Sequence, residues 1–315
     1  MAGAYKSVGC FDEVIELFER VLDKCKRLLG DDHPETLTAR HNLAGAYKSV
    51  GCFDKVIELF EWLLDKCKRL LGADHPDTLT ARHNLACAYR FAGRFDEAIE
   101  LFEQVLADRV RVLGPDHPKT LTTRNNLAGA YKSVGRFGEA IELFEQVLDD
   151  RVRVLGPDHP DTLAARHNLA GAYRDVGCFD EAVELYEQVL AEQERVLGPD
   201  HPKTLTTRHN LAAAYHSVGR FDEAIELFER VLAEEERVLG PDHPDTLITR
   251  HNLAVAYRSV GRFGEAINAW EKLLPDCQRV LGREHPLTKQ VEKNLEAAKR
   301  EMNPPDTPSP ETGED

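Results

Sequence analysis

Positive charge is scarce in this chain: 40 Lys and Arg face 55 Asp and Glu, for a net charge of −15. A nucleic-acid binder needs a basic surface to displace counterions from phosphates, so no nucleic acid is expected as a partner. Long apolar runs are missing too. No stretch of 18 residues is free of charge, so no segment reads as a membrane span and no membrane partner is expected. The opening residues, Met1-Ala-Gly-Ala-Tyr-Lys, lack the apolar core of a signal peptide. A cytoplasmic location with reduced thiols is the expectation that follows. Aromatic residues make up only 7% of the chain, which suits a narrow core between solvated helices. The seven cysteines do not read as a disulfide framework. Cys10, Cys52 and Cys178 share one position of a 42-residue period, and Cys25, Cys67 and Cys277 share another. Stacked helices sit about 10 Å apart, too far for a bridge along the stack. Both positions are expected to be variable surface sites without a metal or redox role.

What the chain has in abundance is repetition. Arg40-His41-Asn42-Leu43-Ala44 returns from Arg82, Arg124, Arg166, Arg208 and Arg250, always 42 residues on. A fixed period of this size marks a stacked repeat protein, in which each unit touches only its neighbours. Within the third unit, Pro118 suits the first helical position. Helix A is predicted to run from there to about Val134 and to end at Gly135, a left-handed cap. Phe137, Ala140, Ile141, Phe144, Val147 and Leu148 then recur at helical spacing, so helix B is amphipathic and continues to Gly156-Pro157. Nothing reads as strand, and the fold class is all-α. Aligning by the period divides the chain. Residues 1–29 read as a truncated first repeat, half a helix A over 1–8 and a whole helix B over 11–29. Six units fill 30–282, a capping helix spans 283–302, and an acidic Pro-rich tail at 303–315 is expected to be disordered.

Leu127-Ala128, Tyr131, Gly135, Phe137 and Ala140 fall where tetratricopeptide (TPR) repeats place their small and aromatic packing residues. The 42-residue unit, with Leu-Gly-x-Asp-His-Pro and Asn-Leu-Ala, resembles the kinesin-light-chain subclass of that family over about residues 1–302. One departure is arginine at the Arg40 position, where a bulky aromatic is common. The resemblance implies a right-handed superhelical solenoid of antiparallel helix pairs serving as a non-catalytic protein-binding scaffold. It also implies that the polar arc of helix A lines a concave groove. Repeats of this variety occur widely in bacteria, often attached to signalling NTPases, so a sensor or regulatory segment of such an enzyme is an alternative. A structural module that self-assembles by its ends is another.

At about 100° per residue, Thr38, His41, Asn42, Gly45, Lys48 and Ser49 share one arc of helix A, while Leu43, Ala46 and Tyr47 point into the stack. The groove would carry an Asn column (Asn42, Asn84, Asn126, Asn168, Asn210 and Asn252). Beside it runs a His column (His41, His83, His167, His209 and His251), interrupted by Asn125. One turn on lie Lys48, Arg90, Lys132, Arg174, His216 and Arg258, and the Gly45 position holds small residues. An Asn amide offers donor and acceptor to an extended peptide backbone, and the basic column favours an acidic peptide. Bonding between neighbouring helices is the competing role for the Asn column. Histidines in the groove would make binding change between about pH 6 and pH 7. The His-Pro histidines, His33 through His285, read as helix-entry residues, and the Arg40 row as a stacking device whose members pair with carboxylates of adjacent B helices or snorkel outward.

No catalytic pattern appears. No Gly-x4-Gly-Lys-Ser/Thr loop occurs, and Gly45-Ala-Tyr-Lys-Ser-Val-Gly51 only looks like one and lies at a helix end. No His-Glu-x-x-His occurs, and no serine occupies a nucleophile elbow. No enzyme activity, cofactor or metal is expected. At the C-terminal end, Leu287, Val291, Leu295 and Ala298 keep an apolar stripe, while Lys299 and Glu292 replace the usual Tyr and Arg. The N-terminal edge lacks a cap, so this chain is expected to be a piece of a larger protein or to self-associate through residues 1–29.

Overall fold

A computed structural model describes residues 8–303, all of whose regular structure is α-helical. The A helices are α2 (Pro34–Ser49), α4 (Pro76–Phe91), α6 (Pro118–Ser133), α8 (Pro160–Asp175), α10 (Pro202–Ser217), α12 (Pro244–Ser259) and α14 (Pro286–Met302). The B helices are α1 (Val8–Leu29), α3 (Phe53–Leu71), α5 (Phe95–Leu113), α7 (Phe137–Leu155), α9 (Phe179–Leu197), α11 (Phe221–Val238) and α13 (Phe263–Val280). Two compact units part between Leu185 and Tyr186, within α9. Each is a solenoid of helix hairpins, as the period requires. The readings for residues 1–7 and for the tail beyond Asn303 lie outside the described residues.

The repeat signature is a set of helix-end devices. Every A helix begins with proline, and the preceding histidine caps it: His33, His75, His117, His159, His201, His243 and His285 each accept the backbone N–H two residues on, through Nδ1. That satisfies one of the orphan donors at a helix start. The threonine of His-Pro-x-Thr ties the same turn from inside. Thr78 and Thr162, fully buried, donate to the carbonyls of Gly72 and Gly156 at 2.7 and 2.8 Å. Those glycines have φ of 91° and 89°, which a residue with a Cβ adopts only at a cost.

Small and aromatic residues fill the space between helices. Ala86, Ala98, Phe102, Val105, Ala128 and Ala140 have no exposure in the first unit, and Ala254, Ala266 and Trp270 have none in the second. Tyr89, Tyr131, Tyr173, Tyr215 and Tyr257 each donate their hydroxyl, at 2.5–2.7 Å, to the glutamate 28 residues earlier on the preceding B helix. Tyr47 bonds Glu19 in the same way. Arg94, Arg136, Arg220 and Arg262 cover four of these rings, with their guanidinium carbons 4.1–4.4 Å from the centroids. Where cysteine replaces that arginine at Cys52, Lys55 approaches Tyr47 instead, 4.6 Å from the ring. Tyr131→Phe should lower stability by about 1 kcal/mol in urea denaturation. A cost indistinguishable from zero would mean that the Tyr131–Glu103 bond merely replaces one to water.

The arginine row pairs as expected. Arg124 reaches Asp150 at 2.6 Å, Arg250 reaches Asp276 at 3.2 Å and Glu236 at 2.6 Å, and Arg82 and Arg208 bond Asp108 and Glu234. Arg40 differs, bonding Asp31 of the turn before its own helix at 3.1 Å and lying over Trp62, 3.4 Å from the ring centroid. The second cysteine position needs correction. Cys67 and Cys277 are buried at 4% and 0% exposure, so this is a core position of helix B. The described cysteines Cys25, Cys52, Cys67, Cys87, Cys178 and Cys277 are all free thiols.

The two ends differ. In α14, Val291, Leu295 and Ala298 are buried, and Lys299 pairs with Glu271 at 2.6 Å, again 28 residues back, in place of the tyrosine bond. Helix α1 starts at Val8, earlier than the predicted residue 11, and runs through Gly9-Cys10, where the equivalent Gly51-Cys52 makes a turn. Val14, Leu17 and Val21 of α1 are 40, 58 and 42% exposed, while Val56 and Leu63, the equivalents of Val14 and Val21, are 1 and 6% exposed.

Candidate functional site

The polar arc of the A helices contains two kinds of residue. The histidines turn toward the helix B aromatics, His83 and His251 buried, His167 and His209 half-buried and His41 still exposed. His41, His83 and His209 meet the edge of Phe60, Phe102 and Phe228 at ring distances of 5.7, 5.5 and 5.5 Å. His251 accepts the indole N–H of Trp270 on Nδ1 at 3.2 Å. The Asn column then bonds backward: Asn126 reaches His83 Nε2 at 3.3 Å, and Asn252 reaches His209 Nε2 at 3.1 Å. Where Asn125 interrupts the His column, Asn168 donates to its Oδ1 at 3.1 Å. Asn84 and Asn210 are half-buried and Asn42 is exposed.

This placement corrects the expected titration. Burial holds His83 down at about 3, with Arg109 adding to the effect. His167 is held at about 4 by burial and then by Arg174 and Lys132, and His251 at about 4 by burial alone. A buried imidazole loses more on charging than an exposed one. These three rings therefore stay neutral between pH 6 and pH 7.

The basic column is the second kind, and part of it carries its own counterions. Lys132 meets Asp175 at 2.9 Å, Arg174 lies 3.3 Å from the same carboxylate, and Arg258 Nε donates to Glu301 at 2.8 Å. His216 bonds Ser259 at 2.9 Å. Lys48 and Arg90 have no carboxylate partner among the described residues. Both flank Phe91 instead, with Lys48 Nζ 4.4 Å and the Arg90 guanidinium carbon 4.7 Å from its ring centroid.

Phe91 also shapes a cavity of 240 Å³ between α2, α3 and α4. Phe53, Phe60, Phe91, Val56, Ala44, Ala88, Gly45 and Cys87 line it, together with His41, Lys48 and Asn84. Phe53 and Phe91 lie nearly parallel, 6.0 Å apart. Gly45 leaves the space open, since a Cβ there would meet nothing within 4 Å. The cavity thus joins three residues of the predicted columns to an aromatic wall. Phe91 was missed in the sequence, where the signal is a single Phe in a column otherwise of Ser and Asp.

Cys87 lies 3.6 Å from His83 Nε2, and Asn126 is 3.6 Å from its sulfur. The residue types are those of a thiol hydrolase, but burial pushes the thiol up and the imidazole down. That is the reverse of what a thiolate–imidazolium pair needs. Among the described residues, no group of three His, Cys, Asp or Glu could hold a metal ion, and no helix is long and apolar enough to cross a membrane.

The chain matches the tetratricopeptide-repeat family over residues 1–68, 49–109, 92–151, 133–191, 161–233 and 209–275. No curated protein matches it. Among solved structures, it is similar to a point-substituted form of the nearly identical TPR-like repeats of a Podosopora anserina kinesin light chain, at 40% identity and a TM-score of 0.59. That match covers 65% of this chain and 97% of the other. A second structure of those repeats shows 36% identity and a TM-score of 0.55, covering 73% and 99%. BtubC (BKLC) from P. vanneervenii shares the fold at 23% identity and a TM-score of 0.62, covering 74% and 94%. With its 42-residue period, its Asn-Leu-Ala helices and these matches, the chain belongs to the tetratricopeptide-repeat family, in the kinesin-light-chain-like subclass.

Proposed function

We propose that the chain is a non-catalytic scaffold that binds an extended acidic peptide, or such a segment of a partner protein, along the face of its A helices. The observation that carries this reading is the cavity between α2, α3 and α4, with two cations beside it that lack counterions among the described residues. An apolar side chain of the partner fills the cavity, and carboxylates next to it meet Lys48 and Arg90. An apolar pocket with a few convergent polar groups is the usual form of such a site. The Asn columns serve both stacking and binding. An amide that spends one N–H on the previous repeat, as Asn126 and Asn252 do, still offers its carbonyl oxygen to a peptide N–H. In the remaining basic positions, Lys132, Arg174 and Arg258, a ligand carboxylate would compete with Asp175 and Glu301.

Gly45→Leu tests this reading, because the new side chain enters open space on a helix and fills the cavity. Acidic peptides selected from a random library on the wild type should lose at least about tenfold in affinity, or roughly 1.4 kcal/mol. Their binding should also weaken with added salt. Equal affinity for wild type and Gly45→Leu would reject the cavity as the anchor. The apolar stripe of α1 favours a second reading, self-association through that helix. Light scattering should then show a dimer that Leu17→Glu with Val21→Glu dissociates, and a monomer at high concentration would remove it.

A further inference from the structure

One core position of the B helices changes chemistry from repeat to repeat while staying buried. It is Cys67, Arg109, Arg151, Gln193, Glu235 and Cys277 in turn, none more than 5% exposed. Two of these residues stand at the head of a hydrogen-bonded chain that leads to the groove. In the first unit, Arg109 donates to Thr123 Oγ1 at 2.6 Å, Thr123 donates to the Lys119 carbonyl at 2.8 Å, and Thr123 Oγ1 lies 3.3 Å from His83 Nδ1. The hydroxyl has one proton, already given to Lys119. His83 must therefore donate from Nδ1, which leaves Nε2 bare to accept from Asn126. A cation at the head of the chain locks this direction.

In the second unit the head is Glu235, 3% exposed, with Oε2 lacking any hydrogen-bond partner. Thr249, fully buried, is the side chain that bonds its carboxylate, and His209 Nδ1 is 2.8 Å from the Thr249 hydroxyl. His209 Nε2 is 3.1 Å from the Asn252 amide. We propose that Glu235, Thr249, His209 and Asn252 form a proton-controlled relay that decides which atom of Asn252 is offered to a peptide in the groove. This rests on the A-helix face being the binding surface.

Both directions of the relay balance. With Glu235 ionised, Thr249 donates to the carboxylate, His209 Nδ1–H donates to Thr249, and Nε2 accepts from the Asn252 amide nitrogen. The carbonyl of Asn252 is then left for the ligand. When one proton from solvent reaches Glu235, its O–H donates to Thr249 and Thr249 donates to Nδ1. The ring proton then resides on Nε2 and donates to the Asn252 carbonyl, so the NH2 group turns to the ligand. The exchange moves the ring proton from Nδ1 to Nε2 and adds none to the imidazole. The protonated state suits a carboxylate-bearing ligand, because it presents donors.

The groups facing Glu235 favour a proton there. Glu234 precedes it on α11 and Asp245 lies on α12, both carboxylates, while the nearby cation Arg208 on α10 is taken by Glu234 and Glu194. Burial first, then these carboxylates, push Glu235 up to about 7. The relay would therefore turn over at neutral pH, where the Arg109 chain stays fixed.

Nitrogen-15 NMR of the histidines in the full chain tests this between about pH 5 and pH 8. His209 should pass from the Nδ1–H to the Nε2–H tautomer as pH falls through about 7, and His83 should keep Nδ1–H throughout. Glu235→Gln should abolish the change, and its fold is safe because Gln193 fills the same buried position one repeat earlier. Thr249→Val should uncouple His209 from Glu235. A single His209 tautomer across the range, an imidazolium with both nitrogens protonated, or a transition surviving in Glu235→Gln would each overturn the relay. Acidic-peptide affinity measured alongside should rise severalfold as the tautomer changes. A tautomer change without any change in affinity would leave the relay standing and reject Asn252 as a groove contact.

Discussion

Trp270→Ala should be among the most damaging single changes in the molecule, costing about 4 kcal/mol or more. Trp270 has no exposed surface and packs among Leu247, Ala254, Ile267, Leu273, Val291 and Leu295. Truncating a buried aromatic to alanine costs roughly 3–5 kcal/mol through lost transfer energy and the cavity left behind. The change also removes the indole donor from His251 Nδ1, on a ring that burial keeps neutral. An orphaned buried acceptor adds about 1–3 kcal/mol. Because each repeat is stabilised by its neighbours, the loss should not spread evenly. Amide exchange should accelerate in α12, α13 and α14, with little change in α4 to α6. Trp270→Phe restores the residue found at Phe60, Phe102, Phe144 and Phe228 and should cost less than half as much. Uniform loss of protection along the whole chain would show that the repeats unfold as one cooperative block.

The helix plan was legible because its signals are local. His117-Pro118 starts a helix and Gly135 ends it whatever the neighbours do, and a 42-residue step multiplies that information. The arginine row was legible for a related reason: a long cation on the packed side of a helix needs a carboxylate within reach. What escaped the sequence depends on which helices meet. The Tyr131–Glu103 bond joins residues 28 apart on two helices, and nothing in either helix alone announces it. Arg136 then looks like a free surface cation until the Tyr131 ring is placed beneath it. The position of Cys25, Cys67 and Cys277, which holds Arg109, Gln193 and Glu235 in other repeats, read as a variable surface site. Only the next A helix, with Thr123 or Thr249 at the matching place, buries it.

The candidate site was legible as an arc and not as a surface. Helical geometry put His41, Asn42 and Lys48 on one side, and the cavity beside α2 gathers His41 and Lys48 with Asn84. It could not show that the ring of His83 turns inward against Phe102, since rotamers follow from packing rather than from the helical wheel. Charge balance within the groove was hidden for the same reason. Asp175 and Glu301 each stand at the position occupied by serine in Ser133, Ser217 and Ser259, so they neutralise particular cations of the basic column, while Lys48 and Arg90 have no carboxylate among the described residues.

Glu235→Gln should make the chain more stable above about pH 4.5, with the full gain at neutral and alkaline pH. A carboxyl group whose folded affinity for protons exceeds its unfolded affinity keeps the folded state favourable while it is protonated. From the ordinary value of 4.5 it is raised to about 7, chiefly by burial. Below about pH 4.5 Glu235 is protonated in both states and costs nothing as a charge. Between there and pH 7 the unfolded chain releases its proton while the folded chain retains it, so stability falls as pH rises. Above pH 7 the buried carboxylate is charged and the penalty is complete. Each tenfold difference in proton affinity corresponds to about 1.4 kcal/mol, which puts the full penalty near 3 kcal/mol. Urea denaturation followed by circular dichroism should therefore show Glu235→Gln gaining roughly 2–3 kcal/mol at pH 8 and almost nothing at pH 4. Glutamine keeps the shape and can still bond Thr249, so packing changes do not obscure the comparison. A gain of equal size at both pH values would place the effect in packing, and none at either would mean that water reaches the carboxylate. A stabilising substitution at this position means that the native glutamate costs stability where it is ionised. An array that repeats its core alanines and leucines almost without change holds, among the described residues, one buried acid whose ionisation costs stability at neutral pH and above. The chain from that acid through Thr249 and His209 to Asn252 supplies a reason for keeping it.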